Sequence, residues 1–98
     1  MYLTIKIKSS IFVYIFNKME IQLLFFGITT DLVGKNSILY SLRDKTTVDQ
    51  LKNILISQFP ALKNLNEFAI AVNEDYAEDI LILNDGDVVA IIPPVSGG

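Results

Sequence analysis

The 98-residue sequence contains no cysteine and no histidine. Without cysteine there is no disulfide, no thiolate nucleophile and no cysteine-based metal site; without histidine the usual proton shuttle and the commonest metal ligand are gone. Basic residues are missing from the last third of the chain. Beyond Lys63 there is no Lys or Arg, whereas Glu67, Glu74, Asp75, Glu78, Asp79, Asp85 and Asp87 all fall there, a local charge of −7. The whole chain carries 8 basic and 11 acidic residues, net −3, which gives no electrostatic basis for holding nucleic acid. A bilayer-spanning run is also lacking. The apolar stretch 11–16 follows Lys6 and Lys8 as in a secretion signal, but it is too short to span, and no small-residue cleavage pattern precedes Asn17 and Lys18. These features predict a cytoplasmic protein with no membrane partner.

What remains is apolar. Hydrophobic residues make up 51% of the chain and charged ones 19%, which excludes a wholly disordered polypeptide and suits one small domain with a core. The first eighteen residues stand apart, with Lys6, Lys8 and Lys18 and no acid. They read either as an extension from an upstream start or as an extra strand, since Leu3, Ile5 and Ile7 alternate with Thr4, Lys6 and Lys8. From Met19 onward the pattern is regular. Residues 20–26 read as a strand ended by Gly27, and 38–42 as a second strand after a turn-rich connection through Thr29, Thr30, Asp31 and Gly34. Thr47 and Gln50 fit a capping box, and Val48, Leu51, Ile54 and Leu55 form one helical stripe that stops before Pro60. Further strands are expected at 68–72, 80–83 and 87–92, with Asn84, Asp85 and Gly86 supplying left-handed turn positions.

One helix between two groups of strands predicts an α+β fold, a mixed sheet packed on that helix, as in a β-grasp. Residues 23–26 and 88–92 are nearly continuous apolar runs, so both faces of those strands should be shielded, yet a single helix covers one. The surplus around Phe26, Tyr76 and Ile92 calls for a cover, either loops and the N-terminal segment or a partner protein.

The chain ends Pro93-Pro94-Val95-Ser96-Gly97-Gly98. Two prolines fix φ and extend the stem, while Gly97 and Gly98 lack a Cβ and so fit a tunnel too narrow for side chains. The free carboxylate of Gly98 is the reachable reactive group. At roughly 7% glycine usage a Gly-Gly end arises by chance in about one chain in two hundred. Its coincidence with a rigid stem, a small grasp-like domain and a missing nucleophile argues for a carrier tail over a frayed terminus.

The segments MEIQLLFFG (19–27), AIAVNEDY (69–76) and DGDVVAIIPPVSGG (85–98) resemble the family of molybdopterin synthase small subunits, ubiquitin-like sulfur carriers. The resemblance covers 19–98 and leaves 1–18 without a counterpart. It implies that an activating enzyme uses ATP and magnesium to adenylate the Gly98 carboxylate, and that a sulfur donor converts it to a thiocarboxylate. The tail would then enter the synthase large subunit, in a heterotetramer, and deliver sulfur to a cyclic pyranopterin precursor, two deliveries per dithiolene. On the same resemblance Gly97 is the slim neighbour of the sulfur-bearing Gly98, Pro93 and Pro94 aim the tail, and Phe26, Tyr76 and Ile92 form the docking face. Ile92 stands where aromatic residues are common in the family. The chain itself would bind no cofactor and hold no catalytic side chain. Other readings of a Gly-Gly tail are a ubiquitin-like modifier that forms isopeptides with lysines, a carrier for thiamin thiazole, and a structural module. Asp85-Gly86-Asp87 reads as a turn and not as a metal site, and Glu74, Asp75, Glu78 and Asp79 as solvated carboxylates.

Overall fold

The computed structural model describes residues 18–65 and 67–94. Segment 1–17 and the tail residues Val95, Ser96, Gly97 and Gly98 lie outside the described residues. Strand β1 (Lys18–Phe25) opens the domain and takes in one residue of the basic segment. It is followed by a short helix α1 (Ile28–Val33), strand β2 (Ser37–Arg43), the main helix α2 (Val48–Gln58) and a 3₁₀ turn (Pro60–Asn64). Strands β3 (Ala69–Val72), β4 (Asp75–Tyr76) and β5 (Val88–Ile92) complete one sheet in the order β2-β1-β5-β3-β4. The central pair β1–β5 is parallel and the other pairs are antiparallel. This is the expected α+β β-grasp, with the first and last strands side by side.

Strand alternation decides which face is packed. Met19, Ile21, Leu23 and Phe25 of β1 are buried, as are Val89 and Ile91 of β5 and Ile70 and Val72 of β3. They meet Val48, Leu51 and Leu55 of α2, all fully buried, and Phe25 meets Phe59 edge-to-face at 6.0 Å between ring centroids. Among the described residues, no element covers the other face of β1 and β5. Leu24, Val88, Ala90 and Ile92 are only half-buried, because period-two geometry turns alternate residues away from the helix whatever their polarity.

Helix α2 begins where its capping box predicts. Thr47 Oγ1 accepts from the Gln50 N–H at 3.3 Å, and Gln50 Oε1 accepts from the Thr47 N–H at 2.9 Å. Thr47→Ala is therefore expected to cost about 1 kcal/mol and to lower the melting temperature by about 4–8 °C, read by thermal denaturation followed by circular dichroism.

Three local expectations are corrected. The connection 27–37 is not a plain turn but contains α1, which ends at Gly34 with φ 85° and its N–H bonded to Thr30 O at 2.8 Å. Six residues are too few for a helical stripe to show in the sequence. Residues 80–83 form no strand beyond the single bridge Thr47↔Ile82. Their neighbourhood serves α2 instead: the Val48 N–H donates to Leu81 O at 2.9 Å and the Asp49 N–H to Asp79 O at 3.0 Å, so the loop satisfies helix amides that have no partner within the helix. Of Asn84, Asp85 and Gly86, only Gly86 has positive φ. The turn with two left-handed residues is Asn73-Glu74, between Val72 and Asp75, which makes β3–β4 a tight hairpin.

Candidate functional site: the tail exit and the open sheet face

Strand β5 runs through the sheet centre and passes directly into Pro93 and Pro94. The end of β1 is built to meet it. Gly27 has φ +55°, and a Cβ there would stand 3.1 Å from Pro93 Cγ. Glycine is needed at this point twice over, for its left-handed backbone and for the close seat of the proline ring. Just beyond, the Thr29 hydroxyl is fully buried. It accepts from the Phe26 N–H at 2.9 Å, donates to Phe26 O at 2.5 Å and lies 3.4 Å from Ile91 O. Thr30 Oγ1 donates to Phe25 O at 2.8 Å, and the Phe26 N–H also reaches Ile91 O at 3.3 Å. The first turn of α1 thus ties together the ends of β1 and β5 where the stem departs. Sequence reasoning assigned Gly27 only the role of ending a strand, and Thr29 only that of a turn former. Their packing depends on β5, sixty residues away in the chain.

Gly27→Val places a β-branched residue at positive φ against Pro93. It is expected to destabilise by about 1–3 kcal/mol, with amide shift changes concentrated at Phe26, Thr29, Ile91 and Ile92 in a ¹⁵N correlation spectrum.

The face of the sheet away from α2 is uncovered among the described residues. Register puts Leu24, Ala90, Ala71 and Tyr76 in one cross-strand row. Ile92 and Ala69 stand in the next row toward the tail, beside Phe26, which continues the outward series of β1. The structure therefore brings Phe26, Tyr76 and Ile92 to one surface. Phe26 is 49% exposed and Tyr76 75%, and a groove of about 380 Å³ lined by Ala69, Tyr76, Ile92, Pro93 and Pro94 joins Tyr76 to the tail stem. Leu39 of β2, 68% exposed and paired with Gln22, extends the apolar face and was not singled out by sequence reasoning. The signal was there: Ile38, Tyr40 and Leu42 share the packed face, which leaves Leu39 as an apolar residue pointing out.

The carboxylates divide into two groups. Asp85 Oδ1 accepts from the Glu20 N–H at 2.8 Å, and Asp87 accepts from the Asn84 N–H at 2.8 Å and from Asn73 Nδ2 at 2.9 Å. Both hold turns. Glu74, Asp75, Glu78 and Asp79 are exposed, and Asp79 pairs with Lys52 at 2.8 Å. Among the described residues no three Asp, Glu, His or Cys stand together as a metal site, and no helix is long and apolar enough to cross a membrane. Among the described residues, an exposed apolar face thus adjoins the Pro93-Pro94 stem at the end of β5.

The family model described as ThiS family matches residues 23–98. The molybdopterin synthase sulfur carrier subunit of Chlamydomonas reinhardtii is 36% identical over 83 residues, covering 82% of this chain and 100% of that protein. The solution structure of the Haloferax volcanii HVO 2177 protein is similar with a TM-score of 0.74 at 29% identity, over 84% of this chain and 89% of that one. A chain of the protein–protein complex of subunits 1 and 2 of the molybdopterin-converting factor from Helicobacter pylori aligns with a TM-score of 0.59 at 29% identity, over 82% of this chain and 100% of that one. On its matched sequence and its ubiquitin-like β-grasp architecture, the chain belongs to the ThiS family and groups with the molybdopterin synthase sulfur carrier subunits.

Proposed function

We propose that the chain is the sulfur-carrier subunit of a molybdopterin synthase, with the Gly98 carboxylate as its working group. The observation that carries this reading is the match over the full length of a sulfur carrier subunit and 82% of this chain, joined here to a stem seated on Gly27 beside an open apolar face. A carboxylate resists nucleophilic attack because of its charge and resonance. A carboxylate oxygen of Gly98 attacks the α-phosphorus of ATP on an activating enzyme that holds the magnesium ion, and pyrophosphate leaves. A persulfide sulfur donor then attacks the acyl carbon of the adenylate and AMP departs; a thiol attacks the donor's own sulfur in the resulting acyl disulfide, forming a disulfide with the donor and leaving Gly98 as a thiocarboxylate. Its sulfur is the nucleophile delivered to the cyclic pyranopterin precursor, and water returns the carrier to its carboxylate form. Two carriers serve each dithiolene.

The large subunit supplies the acids and bases, in keeping with a chain that has no His and no Cys. Phe26, Tyr76 and Ile92 form the docking face for that subunit in a heterotetramer and for the activating enzyme, with the acidic residues meeting basic groups of the partner. Ser96 and Gly97 carry the terminal group into the tunnel. The reading places this chemistry in the cytoplasm.

Reconstitution tests it. The chain, the cognate large subunit and activating enzyme, ATP, magnesium, a sulfur donor and the cyclic precursor are expected to yield the dithiolene. Absence of product, together with Gly98-dependent conjugates on immunoblots of cell extracts, would identify a protein modifier instead.

A further inference from the structure

A wide groove of the described domain lies away from the tail. It has a volume of about 1040 Å³ and lies beside β4, where Tyr76, Ile80, Leu81 and Ile82 supply apolar surface and Asp75 and Glu78 stand among its walls. Ile80 is 81% exposed and Ile82 51%. Three consecutive large apolar residues left open to water are costly unless something covers them. The surrounding charge is mainly acidic: Asp75, Glu78 and Asp87 line the groove and Glu74 and Asp79 adjoin it, against Lys52, which is paired with Asp79. An occupant should therefore be apolar and basic.

The chain contains one such segment. Residues 1–17 include Lys6 and Lys8, no acid, and the apolar residues Leu3, Ile5 and Ile7 at alternate positions. They also join the domain at the right end. Two residues into β1, the Glu20 N–H donates to Asp85 Oδ1 and Glu20 O accepts from the Gly86 N–H, both at 2.8 Å. Asp85 and Gly86 sit between Asn84 and Asp87, which line the groove. At about 3.3 Å per extended residue, seventeen residues reach roughly 55 Å, ample to run from Lys18 along the groove. We propose that the acid-walled groove beside β4 is the seat of the chain's own basic, apolar segment 1–17, which covers Ile80, Ile82 and Tyr76. Tyr76 belongs to this groove and to the open sheet face alike, so the seated segment screens one side of that face. This docking stands independently of the carrier reading.

Because the chain has no cysteine, a single nitroxide at Thr4→Cys in the full chain reports where the segment lies. At low salt the amides of residues 75–82 are expected to lose intensity, most strongly at Tyr76 and Ile80. The loss should disappear in the Lys6→Glu/Lys8→Glu variant and at about 1 M salt, where the screening length is about 3 Å. Mixing nitroxide-bearing chain of natural isotope abundance with ¹⁵N-labelled unmodified chain separates docking within one molecule from docking between two. Unchanged intensity at 75–82 overturns the proposal, as does a loss confined to β2, which would mark an added edge strand. A loss seen equally in the mixed sample would assign the groove to a second copy and also overturns it.

Discussion

Deleting Gly98, or adding one residue after it, is expected to reduce sulfur transfer to background while leaving the melting temperature unchanged. The two halves of this result have separate causes. Transfer fails because the acyl carbon that must carry the sulfur is the chain's last, and a one-residue change moves it about 3.3–3.6 Å along an extended tail, far more than a reacting group tolerates. Stability is retained because the core is closed before the tail begins. Among the described residues the last fully buried side chain is Ile91, with Ile92 and Pro93 half-buried and Pro94 exposed. Parallel assays of transfer and thermal unfolding on the same preparations check both halves. Transfer that survives either change would remove Gly98 from its proposed role.

The second large effect concerns docking. Tyr76→Asp and Phe26→Asp should each weaken binding of the large subunit by about 30-fold or more, the loss that follows from removing an aromatic anchor worth about 2 kcal/mol. Neither change should unfold the domain, because Tyr76 lies on the short edge strand β4 and Phe26 is half exposed. Leu39→Asp, on the same face but two strands from the tail exit, is the informative comparison. Titration calorimetry with the purified large subunit measures all three. Equal affinity for wild type and for the Tyr76 and Phe26 variants would move the docking surface elsewhere.

Features set by neighbouring residues were legible in the sequence, and those set by distant contacts were not. Helix α2 could be read because its start and its buried stripe are local: Thr47 and Gln50 are three residues apart, and Val48, Leu51 and Leu55 follow helical spacing. The two central strands of the sheet could also be read, since β1 and β5 are apolar runs ended by Gly27 and by Pro93. Residues 80–83 misled because a run rich in isoleucine and leucine has the composition of a buried strand, whereas only Leu83 enters the core. The carbonyls of Asp79 and Leu81 are instead taken by helix amides some thirty residues earlier. The site divides the same way. Phe26, Tyr76 and Ile92 could be named from an excess of apolar residues, and register then placed them on one face. The seat of Pro93 on Gly27 and the staple by Thr29 link positions more than sixty residues apart, and nothing local in the sequence announces them.

The central claim is that the main-chain carboxylate of Gly98 is activated and exchanged for a thiocarboxylate. Intact-mass spectrometry after incubation with ATP, magnesium, a sulfur donor and the cognate activating enzyme tests it most directly. The account predicts a chain in which one terminal oxygen is replaced by sulfur, dependent on ATP and absent when Gly98 is deleted. An unchanged mass, with the activating enzyme shown to be active on a known carrier, would contradict it.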